Sequence, residues 1–199
     1  MPREKFNAIL LAGGKSGRMQ ADKSLLSVGG QVMVERMVSQ LRLLAEEVII
    51  SATDNRKYSF LNCPVICDTS QNQGPLMGMV CALAYSKTDL NFVIACDIPE
   101  INGAFLDMML EKTPGREIVV PVSGPGLYEP LFAFYRRSVI FRIQAMLAAE
   151  ERKISPLFSL CKTEFVPLPE GFSLTNLNTR ADFLAYIDCL NDGSGHLEK

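Results

Sequence analysis

The sequence predicts an α/β fold: a sandwich of three layers, α/β/α, around a mostly parallel sheet. Two patterns carry this expectation. Apolar runs of strand length alternate along the chain with longer segments of helical period. The early runs are continuously apolar rather than alternating, as strands covered on both faces are. Strands and helices in alternation wind such a sheet by right-handed crossovers and lay helices against it.

In chain order, Asn7–Leu11 is the first strand, with the helical period following over Val32–Ala45. Strands are expected at Glu47–Ala52 and Pro64–Cys67, then a helix at Leu76–Ser86 fed by the turn Gly74-Pro75-Leu76, with Pro75 at an early position. The apolar run Asn91–Cys96 is the fourth strand, and Gly103–Lys112 the next helix. Glu117–Val122 and Glu129–Tyr135 read as strands, Arg136–Glu150 as a helix, Glu164–Leu168 as the last strand and Thr179–Leu190 as the last helix. Thr179-Arg180-Ala181-Asp182 has the form of a capping box. Residues 1–191 are expected to form one domain, since 199 residues can bury a real core without a second one, and 192–199 a disordered polar tail.

Composition narrows the functional classes. A formal net charge of −2 without a basic block leaves no general footprint for nucleic acid, so an anionic ligand must be held by a local site. No apolar stretch is long enough for a membrane span, and Phe6–Ala12 lacks the cleavage pattern of a signal peptide. Six scattered cysteines without a CxxC pair suit thiols in a reducing cytoplasm. The one histidine, His196, falls in the tail, which excludes histidine-based acid–base or nucleophilic catalysis from the folded region.

Sheets of this kind bind ligands at the carboxyl ends of their strands. After the first strand comes Ala12-Gly13-Gly14-Lys15-Ser16-Gly17-Arg18; after the third comes Asp68 and after the fourth Asp97. Gly14-Lys15-Ser16 is not a Walker A loop, because the first glycine of that motif would fall on Ile9. Ala12-x-Gly14-x-x-Gly17 is a poor dinucleotide fingerprint, because Arg18–Gln31, with its Gly29-Gly30 turn signal, intervenes before any helix. What the loop can do is bring backbone N–H groups close to an anion, with Lys15, Arg18 and Lys23 adding charge. A flexible surface loop with solvated bases is the plain alternative, and the better one for Lys15.

The run Leu11-Ala12-Gly13-Gly14-Lys15-Ser16-Gly17-Arg18-Met19-Gln20-Ala21-Asp22-Lys23-Ser24-Leu25-Leu26 resembles the signature of the molybdenum cofactor guanylyltransferase (MobA) family. The resemblance continues, in the family's order, through Gly74-Pro75-Leu76-x-Gly78, Cys96-Asp97-x-Pro99, Glu129-Pro130-Leu131 and Asn176-x-Asn178-Thr179. It implies a Rossmann-like nucleotidyltransferase sheet and a reaction that joins GMP from GTP to the terminal phosphate of molybdopterin, or its molybdenum form, with release of pyrophosphate. Gly14 and the Asp22-Lys23 pair are similar to the guanylyl rather than the cytidylyl branch. Two positions depart from the pattern: Gln20 stands where the family has glycine, and Ser51 where some members carry a base-contacting asparagine.

The resemblance also implies residue roles. Leu11, Ala12, Gly13, Gly14, Lys23, Asp68, Gly74 and Asp97 would bind the nucleotide; Arg18, Lys23 and Asp97 would be catalytic. Asp97 and Asn178 would hold Mg2+, and Asn176 and Asn178 would face the pterin substrate. The physical reading of the residues agrees. An aspartate at a strand end can ligate Mg2+ through oxygen, and a helix near Gly103 would be capped by Asn102 rather than by Asp97. Arg18 offers a bidentate fork and Lys23 a compact charge for phosphate. Asp68 could equally be a turn residue bonding its own backbone. The methionines at 33, 37, 77, 79, 108 and 109 fit core packing. A cytoplasmic enzyme is implied, with transient contact to molybdenum cofactor enzymes or insertion proteins. A CTP-dependent cytidylyltransferase on the same scaffold, or a nucleotide-binding regulatory module without turnover, are the alternatives.

Overall fold

A computed structural model describes residues 3–12, 25–28, 30–67 and 74–191. An eight-stranded sheet forms its centre. It contains β1 (Asn7–Leu11), β4 (Val48–Ala52), β5 (Val65–Cys67), β6 (Leu90–Ala95), β7 (Ile118–Gly124), β8 (Leu127–Tyr128), β9 (Phe132–Arg136) and β10 (Thr163–Pro167), in the order β10-β7-β9-β6-β1-β4-β5 with β8 paired to β7. A separate hairpin, β2 (Ser27–Val28) with β3 (Gln31–Val32), turns at Gly30, whose φ is +84°. That backbone angle is one glycine adopts without strain.

Side chains alternate between two cores. In β1, Ala8 and Leu10 enter one, Ile9 and Leu11 the other; in β6, Phe92 and Ile94 enter the first and Val93 the second. A strand's period of two thus explains the continuous apolar runs, since each face meets a helical layer. The first core is closed by α1 (Met33–Arg42), α3 (Gly103–Leu110) and α6 (Arg180–Asn191), the second by α2 (Pro75–Tyr85), α4 (Ile140–Ala148) and the short α5 (Leu157–Leu160). This is the three-layer α/β/α sandwich, with the expected methionines Met33, Met37, Met79 and Met109 in its cores.

Most of the sheet is parallel: β1 with β4 and β6, β4 with β5, and β7 with β10. The exceptions are β8, antiparallel to β7, and β9, antiparallel to both neighbours β6 and β7. The boundary of β9 also differs from the expected strand Glu129–Tyr135. Glu129-Pro130-Leu131 forms a turn closed by Phe132 N–H on Glu129 O at 3.1 Å, where Pro130 has no N–H to give to a ladder. The expected helix Arg136–Glu150 divides into a 3-10 turn at Arg137–Val139 and α4, and α1 stops at Arg42, short of Ala45. A 3-10 segment at Arg56–Leu61 has no counterpart among the expected elements. All six cysteines are thiols, in no disulfide. Among the described residues no helix is long and apolar enough to cross a membrane.

Arg136 ties the far edge of the sheet. Its guanidinium donates to both carboxylate oxygens of Glu4 at 2.9 and 3.1 Å, to Asp89 Oδ2 at 2.9 Å, to Arg116 O at 2.8 Å and to Thr113 O at 3.1 Å. The planar fork suits this bidentate grip on Glu4. The guanidinium bond is the main cause holding the Glu4 carboxyl below the usual carboxylate range.

Candidate active site

The carboxyl ends of β1, β4, β5 and β6 lie along one edge of the sheet, because these strands are parallel. The reversed direction of β9 adds something the forward strands cannot: it brings the turn before β9 to the same edge. Ala95 N–H donates to Leu131 O at 2.9 Å, which joins that turn to the end of β6 two residues before Asp97.

The β1 end is held firmly. Ala12 N–H donates to Ser51 O at 2.8 Å, Cys96 N–H donates to Leu11 O at 3.2 Å, and the buried Tyr58 hydroxyl donates to Ala12 O at 2.9 Å. Leu11 and Ala12 are themselves buried, and these backbone groups are occupied by the protein. They deliver the chain into the glycine-rich loop from a fixed point. Gly13, Gly14, Lys15, Arg18, Gln20 and Lys23 lie outside the described residues, as does Asp68. Ser51, 3% exposed in β4, shares the strand face of Ile49 toward α2.

Gly74 sits at the N-cap of α2, with φ +68° and Pro75 in the first turn. Its positive φ, rather than any crowding, calls for glycine, since an added Cβ would find its nearest neighbour, Arg152 O, at 3.9 Å. The helix it opens starts at the edge where the strands end, since α2 stops at Tyr85 and β6 begins at Leu90 on the opposite edge, so the positive end of its dipole lies there.

Asp97 follows β6 in a turn closed by Ile98 N–H on Ala95 O at 3.2 Å. The capping expectation holds: Asn102 caps α3 by accepting Phe105 N–H at 2.8 Å, so helix capping does not account for Asp97. Leu177 N–H donates to Asp97 O at 2.8 Å, and this bond draws the Asn176–Asn178 segment across the sheet edge. The Asn176 side-chain amide lies beside the Glu129 carboxylate. Partial burial lifts the Glu129 carboxyl above the ordinary range; the Asn176 amide opposes the shift, and the charge of Asp97 adds to it. Two carboxylates that feel one another, beside an amide, form the polar centre of this edge.

Asn178 lies one residue beyond and is exposed. Its backbone N–H is shared between Asp182 Oδ2 at 2.8 Å and Asn176 O at 3.1 Å. Asp182 also accepts Thr179 N–H at 2.7 Å while Thr179 Oγ1 accepts Asp182 N–H at 3.1 Å, the expected capping box of α6. The two asparagines are thus held at their backbones from opposite sides, by Asp97 through Leu177 and by the α6 cap.

Glu129 is the member of this group to which sequence reasoning gave no role. Its motif, Glu129-Pro130-Leu131, was visible, but a glutamate in a turn carries no local sign of its surroundings. The turn itself is rigid: Glu129 N–H donates to Pro121 O at 3.0 Å, and the fully buried Tyr135 hydroxyl donates to Pro130 O at 2.7 Å. Burial raises the Tyr135 phenol far above its ordinary range, so it stays a donor.

The donor set is oxygen-rich and small. Among the described residues no group of three or more His, Cys, Asp or Glu side chains is arranged to hold a metal. Hard oxygen donors in this number suit Mg2+, which binds through one or two carboxylates and completes its shell with water and substrate phosphate.

The chain is similar to known proteins over most of its length. The model of the MobA-like NTP transferase domain matches residues 8–162. A protein of Carboxydothermus hydrogenoformans described as a probable molybdenum cofactor guanylyltransferase is 33% identical over 187 residues, covering 90% of this chain and 94% of its own. A protein of Methanosarcina acetivorans with the same description is 31% identical, covering 91% and 89%. Among solved structures, molybdopterin-guanine dinucleotide biosynthesis protein A from Archaeoglobus fulgidus superposes with a TM-score of 0.79 at 18% identity, over 94% of this chain and all of that one, a likeness of fold. With the family model matched over residues 8–162 and relatives 31–33% identical over about nine tenths of the chain, this chain belongs to the MobA-like NTP transferases, a nucleotidyltransferase family.

Proposed function

We propose that this protein transfers GMP from GTP to the terminal phosphate of molybdopterin or molybdenum-molybdopterin, releasing pyrophosphate, in a Mg2+-dependent step of molybdenum cofactor biosynthesis. The observation that carries the reading is the convergence of Asp97, Glu129 and Asn176 on the sheet edge into which β1 delivers the glycine-rich loop. The names of the relatives support the guanylyl and pterin assignments, and Gly14 with Asp22-Lys23 supports GTP over CTP.

The chemistry asks little of acid–base groups. The attacking group is a phosphate monoester, anionic near neutral pH, so no base is required to generate it. The barrier lies in bringing two anions together and in the charge that collects on the leaving pyrophosphate. Arg18, Lys23 and the amides of the Gly13-Gly14 loop would neutralise and orient the triphosphate, with Gly74 bordering the nucleotide and Asp68 contacting it. Asp97, with Asn178 as a second contact, would hold Mg2+, which supplies further neutralisation of the phosphate oxygens when bound. Asn176 would face the pterin. Attack runs in line on the α-phosphorus, with no covalent enzyme intermediate.

The test is a pyrophosphate-release assay with each nucleoside triphosphate, Mg2+ and purified molybdopterin. GTP is expected to give the fastest release. Equal or faster release with CTP would transfer the protein to cytidylyl chemistry, and nucleotide binding without release from any triphosphate would leave a regulatory module.

A further inference from the structure

The segment from Asp97 to Asn102 leaves the sheet with little ladder of its own. Pro99 has no N–H, and between the turn at Ala95 and the cap at Asn102 the chain relies on contacts from elsewhere. One of these contacts comes from α1. The Gln40 side chain donates from Nε2 to Pro99 O at 3.0 Å and accepts Ile101 N–H on Oε1 at 3.2 Å. A primary amide that gives one bond and takes one, to peptide groups two residues apart, imitates a neighbouring strand. It restrains the loop at two points, as no single hydrogen bond could.

The packing of α1 does not call for this amide. The buried positions of the helix are Met33, Val34, Met37, Val38 and Leu41, and these seat it on the sheet. Gln40 stands beside them, half-buried, with both polar ends spent on the loop. The same helix begins at the hairpin that ends the glycine-rich segment: Met33 N–H donates to Leu26 O at 2.9 Å. Alpha1 therefore touches the exit of the phosphate loop at one end and the Asp97 loop near the other.

We infer that Gln40 is a positioning residue, which sets the place of Asp97 at the sheet edge by clamping Pro99 and Ile101. The inference rests on the proposed role of Asp97 in holding metal and triphosphate. It adds a residue that touches neither substrate nor metal and acts through the loop. Reactions of this kind are sensitive to placement, and a displacement of an ångström can cost about a hundredfold in rate. The clamp should therefore register in turnover and metal dependence before it registers in stability.

Two variants test it. Gln40→Met keeps the length and loses both bonds; Gln40→Glu keeps the acceptor for Ile101 and loses the donor to Pro99, unless its carboxyl is protonated. In Gln40→Met, turnover at saturating GTP should fall by about tenfold or more, the Mg2+ concentration for half-activation should rise, and GTP affinity without metal should stay within about twofold of wild type. Gln40→Glu should recover activity relative to wild type as pH is lowered, because the protonated acid again offers one donor and one acceptor. Unchanged turnover and Mg2+ dependence in Gln40→Met would overturn the inference. So would a lowered melting temperature with equal losses in every ligand affinity, which marks a merely structural residue.

Amide hydrogen exchange separates this inference from the proposed function. In Gln40→Met the Ile101 amide should exchange at least about tenfold faster while the strands are unaffected, given that exchange reports local opening. If the wild-type protein releases no pyrophosphate, the functional reading falls. Binding of Mn2+ in the presence of GTP, weakened by the variant together with faster Ile101 exchange, would still support the clamp. Unchanged exchange at Ile101 would overturn it whatever the reaction.

Discussion

Tyr58→Phe tests the hydrogen bond from Tyr58 to the carbonyl where β1 ends, ahead of the glycine-rich sequence. The Tyr58 side chain is 1% exposed and its hydroxyl donates to Ala12 O at 2.9 Å, from a 3-10 segment to the residue where β1 gives way to the loop. Phenylalanine fills the same volume, so no cavity forms and no packing loss is added. What remains is a buried carbonyl deprived of its hydroxyl donor, worth about 1–3 kcal/mol. Taking about 2 kcal/mol, and 2–4 °C per kcal/mol for a chain of this size, the melting temperature should drop by about 4–8 °C. The urea m-value should stay the same, because neither state changes its exposed surface. GTP should also protect the variant less, since Ala12 fixes the direction in which the loop departs. Thermal and urea melts with and without GTP and Mg2+ measure both effects. A melting temperature within about 1 °C of wild type, with full GTP protection, would refute the idea that Tyr58 anchors the loop.

Further outcomes are specific. Asp97→Asn keeps the shape and removes the charge, so the melting temperature should hold while pyrophosphate release falls by orders of magnitude, metal stabilisation being worth roughly several kcal/mol in such chemistry; near-normal turnover at saturating Mg2+ would remove Asp97 as a ligand. Glu117→Gln tests the acid limb of stability. Lys162 N–H at 3.0 Å, with Ser138 at 3.0 Å and Arg142 at 2.8 Å, holds the Glu117 carboxyl below its usual range. A depressed carboxyl stabilises the fold above its unfolded pKa, about 4.3 for a glutamate, and that contribution is lost as pH falls through the folded value. Wild type should therefore lose more stability between pH 7 and 3 than Glu117→Gln does, and a variant with an equally steep acid limb in urea melts would contradict the assignment.

The fold was largely legible because its central strands are buried on both faces and bear the mark of it. Asn7–Leu11 matches its expected range to the residue, and the apolar runs of β4, β5 and β6 lie within a residue of theirs. The capping box at Thr179 and the Asn102 cap were legible for a similar reason, as both are set by residues three apart. Direction was not. Nothing local in Phe132–Arg136 distinguishes an antiparallel strand from a parallel one, since both satisfy the same burial pattern. The role of Glu129 follows from that direction and could not be read without it. Tyr58 and Gln40 were illegible for another reason: each acts on backbone 46 or more residues away, through a polar atom whose partner leaves no trace in its own neighbourhood.

The bond from Leu177 to Asp97 has a consequence for how the protein is made. Domains form from the N-terminus as the chain emerges during synthesis, and β1 waits for β4 and then β6 before both its edges are covered. By then Asp97 has been made, but Leu177, whose N–H holds its carbonyl, has not. The polar edge is completed only after residue 177 has been made, by a segment that also leads into α6. A nascent chain carries Asp97 long before Leu177 can hold its carbonyl. The edge around Asp97 is therefore closed in one step by the Asn176–Asn178 segment rather than growing with the chain, and a ribosome that stops before residue 177 releases a sheet whose Asp97 carbonyl lacks the Leu177 N–H.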